Sequence, residues 1–148
     1  MESHAHRDPT IVIVDDDEGH ALLIEDSLQQ SCAHFRIERL RDGQHALDFL
    51  FGASNSAAHH ATGAFLRLLD IRMPRIDGIE VLRRIKLDAV LRKLPVIMLS
   101  TADNPGEVSR CYELGCSAYV QKPVDYDQFA ETILRLGAFA NSWLIPAV

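Results

Sequence analysis

Cysteine is scarce in this sequence, which has three cysteines in 148 residues. They form neither an even-numbered set nor a Cys-x-x-Cys pair, so a disulfide framework is excluded. Cys32, Cys111 and Cys116 are instead typical of small buried residues in a reducing compartment.

A long hydrophobic run is also absent. The first ten residues are polar and hold no signal-peptide core, and the apolar stretch 134–148 is interrupted by arginine, asparagine, serine and proline. We therefore expect a cytoplasmic protein that does not enter a membrane.

An excess of basic charge is missing too, because the formal net charge is −6. Without an overall positive field, direct binding to nucleic acid is not expected. The chain is 47% hydrophobic and 24% charged, which is typical of one globular domain over residues 1–148. Within it we expect a flexible N-terminal segment at 1–9 and an apolar tail at 140–148.

Short apolar runs alternate with amphipathic stretches along the chain. The runs predict strands over residues 11–14, 35–40, 64–69, 96–99 and 118–121. The amphipathic stretches predict helices over 18–30, 44–51 and 78–88, from Pro105 onward, and after Asp125. Crossovers of this length favour an α/β fold with a doubly wound, five-stranded parallel sheet, whose ligands bind at the carboxyl ends of the strands.

Two of the helix starts carry capping signals. Asn104 precedes Pro105, and Glu107 follows three residues after Asn104, which predicts a capping box with a reciprocal glutamate. Asp125 and Gln128 form a similar pair before the last helix.

Arg67 conflicts with the predicted third strand, which should be central and buried. Three explanations are open: the side chain reaches solvent, it pairs with an acid, or the strand begins only at Leu68.

Reactive side chains follow four of the predicted strands, which would bring them to one edge of the sheet. They are Asp15, Asp16 and Asp17, then Asp70, then Ser100 and Thr101, and finally Lys122. Clustered carboxylates repel one another, and oxygen ligands without histidine or cysteine favour Mg²⁺ over a transition metal. A lysine facing them suits an anionic phosphoryl group. The set therefore fits phosphoryl transfer to an aspartate.

Each of these features has a simpler explanation when it is taken alone. The acidic run 15–18 is what a solvated helix start looks like, and Asp70 could be a turn residue that ends a strand. Their coincidence at the ends of the right strands favours a functional site.

The same residues resemble the receiver domain of bacterial two-component response regulators, the CheY-like family, over residues 11–139. The motifs are Val14-Asp15-Asp16, Leu69-Asp70, Met73-Pro74, Asp77-Gly78, Ser100-Thr101-Ala102 and Tyr119-Val120-Gln121-Lys122-Pro123. The resemblance implies a flavodoxin-like (βα)5 sheet with strand order 2-1-3-4-5. It also implies a signalling switch that catalyses only its own phosphorylation and dephosphorylation, rather than a turnover enzyme.

The resemblance also implies a role for each residue at the strand ends. Asp70 is expected to take a phosphoryl group from a phosphohistidine of a sensor histidine kinase, and Lys122 to pair with the phosphoryl oxygens. Asp16, Asp70 and the backbone carbonyl of Arg72 are expected to hold Mg²⁺ directly, with Asp15 acting partly through water.

Two further residues are expected to convert phosphorylation into a change of surface. Thr101 is expected to move toward the new phosphate, and Tyr119 to swing into the vacated space. The face built from the fourth helix, fifth strand and fifth helix would change as a result and bind a partner or a second copy.

Two further features of the sequence indicate which partners the protein binds. The segment 42–50 and the long loop after it resemble single-domain regulators paired with bacterial phytochromes, so a phytochrome kinase is the expected donor. Phe139, Trp143, Leu144 and Ile145 are more apolar than a free terminus requires. They would either fold back on the domain or form a contact between copies, and we expect a homodimer through the last helix and this tail.

The residue two positions after the acceptor departs from the family pattern. Arg72 stands where a small polar residue is frequent. We expect it to pair with Asp103 across the site, to shield the acyl phosphate from water and thereby to set its lifetime.

Two other functions remain as alternatives. A phosphohydrolase of the HAD-like type also combines an aspartate nucleophile, Mg²⁺ and a lysine, but it needs a second aspartate two residues later, where this chain has Arg72. A receiver that is never phosphorylated and serves only as a binding module is the other alternative.

Overall fold

The computed structural model describes residues 10–31, 35–51 and 65–146. The predicted N-terminal segment 1–9 and the predicted loop 52–63 lie outside the described residues. The strands are β1 (Thr10–Val14), β2 (Arg36–Leu40), β3 (Phe65–Asp70), β4 (Val96–Ser100) and β5 (Ala118–Gln121). They form one parallel sheet in the order β2-β1-β3-β4-β5. The predicted fold class and strand order are confirmed.

A helix follows each strand in the described part of the chain. They are α1 (Glu18–Ser31), α2 (Gly43–Phe51), α3 (Gly78–Leu87), α4 (Pro105–Leu114) and α5 (Tyr126–Ala140), with a short 3-10 turn at Leu91–Lys93. Within these ranges no helix is both long and apolar enough to cross a bilayer.

The two faces of the sheet are buried against different helices. Alternate residues such as Val12 and Leu69 pack with α2, α3 and α4, whereas Ile13 and Leu68 pack with α1 and α5. Because successive strand residues point to opposite faces, a continuous apolar run is what a doubly covered strand requires. The edge strand β2 instead alternates between exposed and half-buried residues until Leu40.

The capping predictions hold for the aspartate and asparagine side chains. Asn104 accepts hydrogen bonds from the N–H groups of Gly106 and Glu107, and Asp125 accepts them from the start of α5. The reciprocal part of the first prediction is wrong, because the Glu107 carboxylate turns away from the cap and contacts Arg72 and Tyr119.

Arg67 lies inside β3 and is only 1% exposed. It is in register with Val12 on one neighbouring strand and Val96 on the other, so the strand does not begin at Leu68. Among the described residues no hydrogen-bond partner reaches its guanidinium, which lies 5.7 Å from the centre of the Phe65 ring. All three explanations drawn from the sequence are therefore wrong for the described residues.

The apolar tail folds back on the domain as far as residue 146. Trp143 and Ile145 pack against the core, and Trp143 contacts Phe139 edge-to-face with ring centres 5.3 Å apart. Leu144 is 98% exposed and Phe139 64% exposed. The tail therefore has one side that covers the core and one side that faces outward.

Candidate functional site

The end of β1 and the end of β3 bring three carboxylates together. Asp15 directly follows β1, and Asp70 ends β3, which pairs with β1 in parallel. One oxygen each from Asp15, Asp16 and Asp70 lies within 4.8 Å of the others. Asp15 and Asp70 are buried, whereas Asp16 is exposed. The sequence prediction that the strand ends assemble an acidic cluster is confirmed.

A glycine lets the chain turn closely around Asp70. A Cβ at Gly78, the first residue of α3, would overlap the carbonyl of Asp70. The N–H of Gly78 donates to the carbonyl of Ile71 at 2.9 Å, which fixes the start of α3 beside the end of β3. The loop that contains Arg72 is thus held against the carboxylate cluster.

Lys122 follows β5 and places its ammonium among the carboxylates. Its Nζ donates to Oδ2 of Asp15 at 2.8 Å and lies 2.8 Å from Oδ1 of Asp70. A third contact, 3.2 Å long, joins Nζ to Nδ1 of His20. Burial alone would lower the pKa of Lys122, but the charges of Asp15 and Asp70 outweigh it and raise that pKa. The buried ammonium therefore has three polar partners within 3.2 Å.

The pKa of the Asp70 carboxyl group is raised above its ordinary value. Burial is the largest cause that raises its pKa, the nearby charge of Asp15 adds to it, and Lys122 opposes both, with the result at about 6. Carboxylates held this close repel one another, and a bound cation would relieve that repulsion. The site therefore favours cationic partners beyond Lys122.

The donor set fits Mg²⁺. Asp15, Asp16 and Asp70 offer only carboxylate oxygen atoms, which this hard cation prefers to nitrogen or sulfur ligands. Exposed Asp16 leaves one side open to the solvent from which the ion would keep its waters.

The run of three aspartates after β1 divides into two roles. Asp15 and Asp16 belong to the carboxylate cluster, whereas Asp17 accepts a hydrogen bond from the N–H of His20 at 3.0 Å, at the start of α1. That hydrogen bond is the largest cause that lowers the pKa of Asp17. The simple explanation, a solvated helix start, holds for Asp17 and for exposed Glu18, the first residue of α1.

His20 was missed by the sequence prediction. It lies in the first turn of α1, and its ring packs edge-to-face on Phe129 of α5 with centres 5.5 Å apart. The available signal was its spacing of four residues from buried Ile24, which places both side chains on one face of the helix. His20 thus joins the ammonium of Lys122 to the α1–α5 packing.

Thr101 lies next to the cluster, after β4. Because Leu99 of β4 is in register with Asp70, Thr101 reaches the same edge of the sheet, where it is exposed. The preceding Ser100 is fully buried, and its hydroxyl accepts a hydrogen bond from the N–H of Ala102. The predicted hydroxyl at this edge is present and accessible.

Arg72 does not make the predicted contact. Among the described residues its ionic partner is Glu107, with 2.9 Å between Nη2 and Oε2, and not Asp103. Asp103 is exposed in the turn before α4. Shielding of the site by a pair of Arg72 and Asp103 therefore has no structural basis, and Glu107 is the residue that the sequence prediction missed.

Tyr119 shares that glutamate with Arg72. Its hydroxyl lies 3.0 Å from Oε1 of Glu107 and 3.1 Å from the carbonyl oxygen of Ala102. Burial is the largest cause that raises the pKa of Tyr119; a hydrogen bond with Ser100 lowers it, and the hydrogen bond to the Glu107 carboxylate raises it further. Half-buried Tyr119 on β5 is thus linked by a hydrogen bond to Glu107 in the first turn of α4.

Known proteins are similar to this chain in sequence and in fold. Residues 11–134 match the response regulator receiver domain. The probable methanogenesis regulatory protein FilR2 of Methanothrix harundinacea (strain 6Ac) is 34% identical over 140 residues, which cover 92% of this chain and 86% of FilR2.

Solved structures agree with this match. A response regulator receiver domain from Rhodospirillum rubrum has a TM-score of 0.87 and 38% identity, covering 94% of this chain and 98% of that chain. The phosphorylated cyanobacterial phytochrome response regulator RcpA has a TM-score of 0.86 and 28% identity, covering 95% and 99%. With its family match, its fold and its acidic cluster in agreement, this chain belongs to the response regulator receiver domain family.

Proposed function

We propose that this chain is a response regulator that accepts a phosphoryl group on Asp70 from a phosphohistidine of a sensor histidine kinase. The observation that carries the proposal is the placement of Lys122, 2.8 Å from Asp70 and 2.8 Å from Asp15, inside a cluster of three carboxylates. A cation held there is suited to the equatorial oxygens of a transferring phosphoryl group.

The proposed transfer needs no reactant beyond the phosphohistidine and Asp70. A carboxylate oxygen of Asp70 forms a bond to phosphorus as the bond from phosphorus to the histidine nitrogen breaks, and the imidazole leaves with that electron pair. Lys122 turns one N–H from a carboxylate to the phosphoryl group, and exposed Thr101 donates to the same group. Mg²⁺ bound by Asp15, Asp16, Asp70 and the Arg72 carbonyl would neutralise charge on the phosphoryl oxygens.

The output of the proposed switch is a face of the same domain. Thr101 would move to the phosphate, and the ring of Tyr119 would swing into the vacated space. The α4-β5-α5 face would change as a result. A hydrogen bond made only in the phosphorylated state biases such an equilibrium toward that state. The proposal is supported by the contacts of Tyr119, which tie it to the first turn of α4.

The proposed donor is a phytochrome histidine kinase, supported by the similarity to the phytochrome response regulator RcpA. The proposed place of action is the cytoplasm. Contact with nucleic acid or membrane is not part of the proposal.

The test is phosphorylation by a small donor. Wild type incubated with Mg²⁺ and acetyl phosphate should gain the mass of one phosphoryl group, and Asp70→Asn should gain none, by intact-mass spectrometry. Asp26→Asn, which alters an exposed carboxylate on α1, is the matched control and should behave as wild type. No gain in wild type would favour the binding module, and a gain that survives in Asp70→Asn would move the acceptor elsewhere.

The phosphohydrolase alternative has its own outcome. Steady release of phosphate from a panel of phosphate esters, with Asp70 required, would support it over the switch. The structure of the loop disfavours it, since Arg72 and not an acid follows two residues after Asp70 and is paired with Glu107.

We also propose a homodimer through α5 and the tail. The outward side of this region carries the exposed side chains of Phe139 and Leu144. Phe139→Asp with Leu144→Asp should lower the mass measured by light scattering from that of a dimer to that of a monomer. The same mass for both proteins would contradict the proposal, and Leu22→Asp on exposed α1 surface is the control.

A further inference from the structure

The Glu107 carboxylate is held by two side chains that come from other parts of the fold. Arg72 Nη2 lies 2.9 Å from Oε2, and the Tyr119 hydroxyl lies 3.0 Å from Oε1. The Glu107 side chain is 12% exposed, whereas that of Arg72 is 58% exposed. The guanidinium thus lies on the solvent side of a largely buried carboxylate.

The backbone beneath this carboxylate is fixed. Asn104 caps α4 and accepts hydrogen bonds from the N–H groups of Gly106 and Glu107 at 2.9 and 3.1 Å. Pro105 at the first helical position stiffens the same turn. Because the helix start cannot easily move, the position of the carboxylate depends on the side-chain contacts of Glu107.

The Tyr119 hydroxyl has one proton to give, and two acceptors from the described residues lie within hydrogen-bond distance. One acceptor is the Ala102 carbonyl at 3.1 Å, and the other is the Glu107 carboxylate at 3.0 Å. A charged acceptor makes the stronger hydrogen bond. The carboxylate therefore favours the present orientation of the tyrosine ring over orientations that give up this bond.

We propose that Glu107 is a positioning residue for Tyr119, and that Arg72 acts on Tyr119 through Glu107. Arg72 lies two residues after Asp70 in the loop that follows β3, and Tyr119 lies on β5. The contacts form a direct connection between the acceptor loop and the tyrosine that does not pass through Thr101. The inference rests on the proposed function only in taking Tyr119 as the residue that changes the output face.

The test observes Tyr119 before any phosphorylation. Tyrosine labelled with ¹³C at Cζ reports the hydrogen bonding of each hydroxyl by NMR, and Tyr119→Phe assigns the signal. In protein without a phosphoryl donor, Glu107→Ala should shift the Tyr119 signal. Arg72→Ala should shift it in the same direction by a smaller amount, and Tyr126, exposed at the start of α5, should keep its signal.

The double variant separates a connection from two local effects. If Arg72 acts through Glu107, adding Arg72→Ala to Glu107→Ala produces no further shift. Additive shifts, or an unchanged Tyr119 signal in Glu107→Ala, would overturn the inference. Glu113→Ala, at an exposed position on the same helix, is the matched control and should leave the signal in place.

A second measurement ties the connection to signalling and keeps the two proposals distinguishable. After treatment with Mg²⁺ and acetyl phosphate, the shift of the Tyr119 signal in Glu107→Ala should be less than half that in wild type at equal phosphorylation. If wild type takes up no phosphoryl group, the proposed function fails while the first measurement stands. If phosphorylation is normal and the shift is equal in both proteins, the role of Glu107 in the switch is wrong.

Discussion

Two cations are buried in the described part of this chain, and they lie in opposite surroundings. Lys122, 3% exposed at the carboxyl edge of the sheet, has Asp15, Asp70 and His20 around its ammonium. Arg67, 1% exposed in the middle of β3, has no hydrogen-bond partner among the described residues. Equal burial therefore does not mean equal stability, because partners decide whether a buried charge is tolerated.

The acidities of the two groups reflect this difference. Burial lowers the pKa of Arg67 to about 10, and its guanidinium lies 5.7 Å from the centre of the Phe65 ring. The pKa of Lys122 is raised, since the carboxylates outweigh its burial. The fold thus surrounds Lys122 with partners at the site, whereas the burial of Arg67 in the core lowers the stability of the folded protein.

The largest expected effect is the loss of the supported cation. Lys122→Met removes the charge between Asp15 and Asp70 and should destabilise the metal-free protein by about 3 kcal/mol at neutral pH, the cost of leaving a buried charge unpaired. Urea unfolding in the presence of a chelator measures this difference.

Added Mg²⁺ provides the control for that experiment. The cation would screen the same carboxylates, so the gap between Lys122→Met and wild type should shrink when Mg²⁺ replaces the chelator. Lys93→Met, at an exposed position, should match wild type in both conditions. A variant as stable as wild type without metal would show that the carboxylates do not need the lysine.

Replacing the unsupported cation, Arg67, is expected to change the free energy of unfolding in the opposite direction. Arg67→Met keeps an unbranched apolar stem inside β3 and removes a buried charge without a described partner, so it should stabilise the protein by about 1–3 kcal/mol. Urea unfolding at neutral pH checks it.

Arg67→Lys separates charge from shape. It keeps a buried cation but loses the planar guanidinium near Phe65, so it should be less stable than wild type. If Arg67→Met were as unstable as Arg67→Lys, the guanidinium would have a partner outside the described residues, and the contrast with Lys122 would fail.

The sequence was sufficient to predict the sheet and the carboxylate cluster, because both depend on short-range patterns. Four β-branched residues before Asp15 indicate a strand buried on both faces, and parallel topology then places Asp70 and Lys122 beside Asp15. Strand ends are fixed by chain order, so such residues can be found without coordinates.

The contacts between side chains from distant segments could not be predicted in the same way. Glu107 carried a local signal for a capping box, but tertiary contacts to Arg72 and Tyr119 prevailed over it. The packing of Arg67 was equally hidden, since strand alternation gives the face of a side chain and not its neighbours.

A smaller effect is expected from the third partner of Lys122. His20→Leu removes the acceptor at 3.2 Å and leaves one N–H of a buried ammonium without its partner, so it should cost about 1 kcal/mol in the metal-free protein. His20→Gln, which keeps an acceptor, should recover part of the loss in the same urea experiment. Equal losses in the two variants would assign the effect to packing on Phe129 instead.

The last expected effect is a dependence of stability on alkaline pH that comes from the unsupported cation, Arg67. The pKa of Arg67 is about 10 in the folded protein, well below its ordinary value, so the unfolded chain binds more protons above about pH 10. Stability contributed by this group therefore rises with pH, and the advantage of Arg67→Met over wild type should shrink by about 1 kcal/mol from about pH 8 to about pH 11. Taking the difference between the two proteins cancels every other group that titrates equally in both. A gap that stays constant over this range would show that the guanidinium keeps its proton as firmly in the core as in water, which only a bound partner can achieve.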